Sequence, residues 1–123
     1  MKIDIHTDGV ELDEKLQQFT LCCAGFELGN FSHRSASVQI RLASLEESSS
    51  RRDRFCQVRV VFFSRHDVVV EALDADLHIA IHWALERAGW NVANRMQIER
   101  RRLERDLIAA QTLSAQGEPD QAA

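Results

Sequence analysis

Arginine is the residue type with the most obvious chemistry in this chain, since 13 of the 15 lysine and arginine residues are arginines. A guanidinium group is permanently charged and binds phosphate or carboxylate through two parallel hydrogen bonds. The arginines concentrate in residues 51–105, which hold 11 of them against 8 carboxylates, although the net charge of the chain is −4. A locally basic surface that contacts phosphate is therefore compatible with an acidic chain.

Two stretches contain the arginine clusters, one in a polar loop and one along a helical pattern. The candidate RNA-binding residues are Arg51, Arg52, Arg87, Arg95, Arg100, Arg101 and Arg102. Because Glu99 and Glu104 are interleaved with the last of them, a solvated charged helix face is the alternative. Tyrosine is absent and the phenylalanines mostly follow core patterns, so we expect any RNA contact to be with the backbone rather than with stacked bases.

Other residue types that could do chemistry give weaker signals. His78 and His82 are four positions apart, but the spacing indicates no third ligand for a metal. The adjacent Cys22 and Cys23 could be redox-active, and more simply fill a helix face as small hydrophobic residues. The three cysteines form neither a disulfide framework nor a zinc spacing. With no phosphate loop and no nucleophile beside a base, we expect no enzyme, no cofactor and no metal.

Hydrophobic periodicity predicts six elements in the order β-α-β-β-β-α. The strands are expected at 2–6, 36–42, 55–63 and 68–73, and the helices at 13–27 and about 74–112, the second beginning at Asp74 as N-cap. The first two strands flank a helix, so a right-handed crossover makes them parallel, whereas the later strands form antiparallel hairpins. The expected fold class is α+β, a four-stranded mixed sheet with both helices on one face and the other face open.

The second helix is longer than such a sheet can cover. At 1.5 Å per residue it would extend roughly 55–60 Å. We therefore expect the segment from about residue 97 to project, bend or meet a partner. The predicted organisation is one domain over 1–112 that includes this extension, followed by a disordered tail over 113–123 containing the only proline.

An apolar group is expected on the open face of the sheet. Val61, Phe63, Val69 and Leu73 should lie together at one end of it. Four apolar side chains facing water are unusual in a monomer. They predict a protein interface, covered by a partner, by a second copy or by the long helix folding back, so a homodimer through this face or through the extended helix stays open.

The sequence also indicates the compartment. No run of about 18 apolar residues exists, so no membrane span is expected. Met1 to His6 alternates polar and apolar residues and reads as a strand rather than a targeting peptide. We expect a cytoplasmic protein.

Several short motifs resemble one known family over about residues 1–108. They are Met1–Ile5 leading into Gly9–Leu12, a first helix with Leu16 and Phe19, Phe31 before the strand at 38–40, and Val70-Glu71-Ala72 to Asp76 followed by Ala80-Ile81. The last of these looks like the Asp-x-x-x-Ala-Ile opening of the final helix in the ribosome hibernation factors. The chain resembles the short form of that family, which includes hibernation-promoting factor and ribosome-associated inhibitor A, also called sigma-factor modulation proteins.

The resemblance implies a function as well as a fold. It implies binding to the small ribosomal subunit and its rRNA, in the channel for mRNA and tRNA, through the outer surface of the two helices. Translation would then be inhibited in stationary phase or under stress. Residues 20–27 contain no base where the family usually has lysines, and Trp90 stands at a commonly basic position. These departures favour the alternative of a diverged protein-interaction or dimerisation module without ribosome binding.

Overall fold

Four strands and two main helices follow one another in the order β-α-β-β-β-α, as predicted. The computed structural model describes residues 2–31, 35–45, 54–63 and 66–117. The elements are β1 (Lys2–Asp8), α1 (Glu14–Leu28), β2 (Ser35–Ser44), β3 (Arg54–Phe62), β4 (Val68–Asp74) and α2 (Leu77–Gly117), with a short 3-10 turn at Gly29–Phe31 after α1. The predicted α+β fold class is confirmed.

The sheet is mixed and has the strand order β1-β2-β3-β4. β1 and β2 are parallel, as the crossover through α1 requires, and the other two pairs are antiparallel. Buried side chains alternate along the strands, except that Ala43 next to Leu42 is also buried, and those on one face are Val38, Ile40, Leu42, Cys56, Val58, Val60, Phe62, Val68, Val70 and Ala72. This face is the core, because one face of each strand collects every second residue.

The first strand is longer than its sequence pattern indicates. The predicted turn at Thr7–Gly9 begins only at Gly9, because Thr7 and Asp8 still pair with β2. Gly9 has a φ of 70°. Glycine adopts this left-handed conformation without the penalty that a side chain would add.

α1 begins with a side-chain cap and buries one stripe. The Asp13 carboxylate accepts a hydrogen bond from the backbone N–H of Leu16 at 2.7 Å. Leu16, Thr20, Ala24 and Leu28 are buried. The Thr20 hydroxyl donates to the Leu16 carbonyl at 2.8 Å, so the one buried polar side chain among the described residues has a partner.

The start of α2 differs from the prediction. Asp74 is not its N-cap, because β4 continues through Asp74, which pairs with Arg54. The helix begins at Leu77, and the Asp76 carboxylate accepts from the backbone N–H of His78 at 2.9 Å. Sheet pairing therefore moves the cap two residues along the chain.

The chain divides into two compact units, the first ending at Val92 and the second starting at Ala93. α2 runs on to Gly117, five residues beyond the predicted end. The added segment contains alanine and glutamine, which favour helix. The part of the predicted tail at 118–123 lies outside the described residues. Within the described residues, neither helix has an apolar stretch long enough to cross a bilayer.

In the first unit the two helices lie side by side and run in the same direction. The rings of Phe19 and His78 are 4.7 Å apart between centroids. Further along, Gly89 meets the backbone of Glu27, and a Cβ at Gly89 would lie 2.8 Å from the Glu27 carbonyl oxygen. Gly89 looks like a weak point in the helical pattern, yet the structure shows that this position needs the absence of a side chain.

Gly89→Ala tests this contact. Overpacking destabilises a protein by about 1–3 kcal/mol. Alanine is more favourable than glycine inside a helix by only roughly 1 kcal/mol, so the overpacking should dominate. We expect chemical denaturation to show a lower free energy of unfolding. Gly25→Ala is the matched control, because nothing lies within 4 Å of a Cβ there and Gly25 is inside α1. That variant should gain about 0.5–1 kcal/mol. Equal stability of the two variants would contradict the proposed close approach.

Candidate nucleic-acid interface

Arg87 is the only arginine of the helix layer in the first unit, and it packs on an aromatic ring. Its guanidinium carbon lies 5.9 Å from the centroid of the Trp83 ring, which is a cation–π arrangement. The preceding residue, Glu86, has its Oε2 3.2 Å from Nε2 of His82. Arg87 is therefore held on an indole, with a carboxylate as its neighbour in the chain.

The helix layer of the first unit has no continuous band of positive charge. Over α1 and over α2 up to Val92, all of which the structure describes, the charged side chains other than histidine are Glu14, Lys15, Glu27, Glu86 and Arg87. Three carboxylates face two cations. The predicted basic surface is therefore not formed by this part of the two helices.

Exposed apolar side chains occupy the outer side of this layer. Phe26 on α1 is 85% exposed, and Trp83 and Trp90 on α2 are 47% and 70% exposed. Helical periodicity could have indicated that Trp83 is exposed, because Trp83 lies opposite the buried stripe that contains Ile81 and Leu85. That signal is visible only once the buried side of the helix is known.

The second unit carries most of the arginines predicted to bind RNA. Nε of Arg100 is 3.4 Å from Oε1 of Glu104, so the charge of Arg100 is partly neutralised. Arg101 and Arg102 are exposed, as is Arg105, and these three make no ion pair with a described residue. At 100° per residue they lie on the opposite side of the helix from Leu103 and Leu107. One face of this segment is therefore basic. Arg95 is half-buried.

Of the three arginines in and just after the polar loop, the structure describes only Arg54. Arg51 and Arg52 lie outside the described residues. Arg54, which follows them, donates to the Ser44 hydroxyl at 2.8 Å and fastens the start of β3 to the end of β2. This hydrogen bond therefore helps to hold the two strands together.

The predicted apolar interface on the open sheet face is spread along the sheet. Phe63 is 76% exposed and Val69 and Leu73 are also exposed, while Val61 is half-buried. However, Leu73 pairs with Phe55, at the start of β3, whereas Phe63 follows its end. The expectation that all four lie together at one end is therefore wrong for Leu73, because antiparallel β4 carries it about 13 Å from Val69.

Between these apolar ends the open face is polar and internally paired. A shallow groove of about 540 Å³ crosses β1, β2 and β3, and its lining includes His6, Asp8, Gln39, Arg41, Gln57 and Arg59. Nη2 of Arg41 is 3.8 Å from Oδ2 of Asp8, and Nη1 of Arg59 is 3.9 Å from Oδ2 of Asp67. Because each guanidinium faces a carboxylate, this groove has no excess positive charge to attract phosphate.

Solved structures of other proteins share this fold. The alignment with the N-terminal domain of Protein Y from Thermus thermophilus has a TM-score of 0.62 and 18% sequence identity, and covers 75% of this chain and 96% of that one. A ribosomal subunit interface protein from Coxiella burnetii gives a TM-score of 0.63 with 11% identity, and covers 79% and 99% of the two chains. Both belong to the hibernation-promoting factor family. This chain therefore shares the fold of these two proteins. No protein-family model and no curated protein sequence matches it.

Histidines and cysteines do not add a metal centre to this fold in the part that the structure describes. No group of three or more histidine, cysteine or acidic residues is arranged to hold a metal there. The His78 ring packs against the Phe19 ring, and its Nδ1 lies 3.5 Å from Oδ1 of Asp76. Nε2 of His82 instead lies 3.2 Å from Oε2 of Glu86. Each histidine therefore has a separate set of contacts.

The three cysteines differ in burial, and we therefore expect them to differ in reactivity. Cys22 is exposed, and Cys56 is buried in β3. Burial raises the pKa of the Cys56 thiol to about 12. The pKa of Cys23 is also raised, chiefly by burial and secondly by Cys22.

The burial of Cys56 and the exposure of Cys22 predict that the thiols are modified selectively. They also predict that the folded protein loses stability at alkaline pH. A thiol-reactive dye at about pH 8 should label Cys22 first and Cys56 only on unfolding, because the thiolate is the reacting form. The unfolded Cys56 thiol ionises near pH 9, so the free energy of unfolding should fall as pH rises from about 9 towards 12. Denaturation curves of Cys56→Ala should lose that part of the pH dependence. Rapid labelling of Cys56 in the folded protein would contradict its burial.

Proposed function

We propose that this protein is a non-enzymatic, cytoplasmic ribosome-associated factor that binds the small ribosomal subunit and inhibits translation under stress or in stationary phase. The observation that supports the proposal is the fold shared with the Protein Y domain and the ribosomal subunit interface protein. The alignments take in nearly the whole of both neighbours, so the likeness is to a complete domain. A fold alone permits many functions, and the proposal therefore depends also on where the charge lies.

The second unit supplies the charge that binding to rRNA needs. Arg101, Arg102 and Arg105 form a face without a described ion pair, and neutralising phosphates with such groups releases counterions. Arg95 and Arg100 lie on the same segment. Arg87 on the first unit and the loop residues Arg51 and Arg52 complete the proposed RNA contacts.

Co-sedimentation with 30S particles at low and moderate salt tests the proposal. Arg101→Glu with Arg105→Glu should weaken binding and reduce the slope of log affinity against log salt by about 2, because each phosphate contact contributes nearly one. Arg41→Glu with Arg59→Glu is the matched control, since it changes the net charge equally on the sheet face. A translation assay with the same variants should follow the order of their 30S affinities.

The proposal fails if the protein is absent from the 30S fraction at both salt concentrations. It also fails if the two double variants weaken binding equally, because net charge and not the arginine face would then account for the effect. Inhibition of translation without 30S binding would contradict the proposed mechanism.

A protein-interaction or dimerisation module is the second candidate, favoured by the exposed apolar side chains of the open sheet face. Phe63, Val69 and Leu73 expose apolar surface there. If this face binds a second copy, the mass from light scattering should rise with concentration towards twice 14.0 kDa. Val69→Glu should then restore the monomer, while Phe26→Glu on the helix layer should not. A constant monomer mass removes the dimer.

A further inference from the structure

A small groove on the outer side of α2 combines two exposed indoles with polar groups. Its volume is about 290 Å³, and it is lined by Trp83, Glu86, Arg87, Trp90 and Asn91. The two tryptophans are seven positions apart, about 10.5 Å along the helix axis. Flat aromatic surface and both signs of charge come together in this groove.

The cation in the groove has a defined position. The Arg87 guanidinium lies over the Trp83 ring at 5.9 Å. A guanidinium held on an indole keeps its N–H groups free at its edge to bind an oxygen anion. The groove therefore offers a stacking surface with a phosphate-binding group next to it.

The carboxylate in the groove is also positioned. Oε2 of Glu86 lies 3.2 Å from Nε2 of His82, one turn earlier in the helix. A carboxylate has two oxygens with about four acceptor sites, so this contact leaves acceptor capacity. Because an ionised carboxylate only accepts hydrogen bonds, a ligand group that binds Glu86 must present hydrogen-bond donors.

We propose that this groove binds an unpaired guanine base of RNA. The base stacks on the Trp90 indole, its N1–H and N2–H groups donate to the Glu86 carboxylate, and Arg87, held on the Trp83 ring, contacts a phosphate. Guanine is the base whose pairing edge presents two adjacent donors, which matches a carboxylate. Adenine and cytosine place an acceptor beside their amino group, and uracil has a single N–H between two carbonyls.

Groove size and composition favour a base over a protein segment. A volume of about 290 Å³ is at the small end for a binding pocket and suits one planar group. RNA-binding proteins commonly stack unpaired bases on aromatic rings and bind their pairing edges. This inference rests on the proposed function, and it assigns the base recognition, with one phosphate contact through Arg87, to the first unit and most of the salt-dependent phosphate binding to the second.

Intrinsic fluorescence gives a direct test, because the only two tryptophans of the chain both line the groove. The protein is titrated with uridine pentaribonucleotides that differ only in the central base. We expect fluorescence quenching with a midpoint for central guanine roughly fivefold or more below that for adenine, cytosine or uracil. Glu86→Gln should remove the preference, because an amide has one acceptor oxygen and adds donors.

Trp90→Leu keeps Trp83 as the reporter and should raise the midpoint roughly fivefold to hundredfold. Phe26→Leu is the matched control, since it removes an exposed aromatic residue on α1 outside the groove and should leave the midpoint unchanged. Both positions are exposed, and circular dichroism melts check that each variant folds. Equal midpoints for all four bases, or no quenching, overturn the proposal, as does a preference that survives in Glu86→Gln.

Sedimentation with 30S particles separates this inference from the proposed function. If the wild type binds 30S but shows no guanine preference, the groove proposal fails and the ribosomal function stands. If the guanine preference is present but 30S binding is absent, the ribosomal function fails and the groove remains a guanine site.

Discussion

The contact between the backbone of Glu27 and Gly89 is the constraint on which the helix layer depends. A Cβ at Gly89 would come within 2.8 Å of the Glu27 carbonyl oxygen, so the two helices approach each other closely at this point. The contact fixes the rotation of α2 about its axis in the first unit. With Gly89 against α1, the stripe containing Ile81 and Ala88 is buried, and Trp83 and Trp90 must turn outwards.

Charge is distributed differently over the surfaces of the molecule. The helix layer of the first unit has nearly balanced charge and exposed indoles, while the open sheet face pairs its arginines with carboxylates. Arginines without a described ion pair lie on one face of the distal part of α2. Long-range attraction of phosphate and short-range recognition of a base are therefore proposed for separate surfaces, and salt should affect only the first strongly.

The elements were predictable where one local pattern decided them. The alternation of apolar residues that includes Val58 and Val60 predicted the buried face of β3, and the acidic Asp13 predicted the start of α1. Predictions failed where pairing with a distant segment changed the outcome. β4 kept Asp74 in the sheet, so the cap moved to Asp76, and the antiparallel register carried Leu73 away from Phe63.

By itself the sequence determined the order of the elements, their buried sides and the family resemblance, because periodicity and turn residues act over a few neighbouring positions. Only the tertiary structure decided what Gly89, Trp83 and Arg87 do. A glycine in a helix is a weakness until another backbone lies against it, and a tryptophan is assigned to the core until the packed side of its helix is known. The stacking groove follows from that packing, since it places Trp83, Arg87 and Trp90 together on the solvent side.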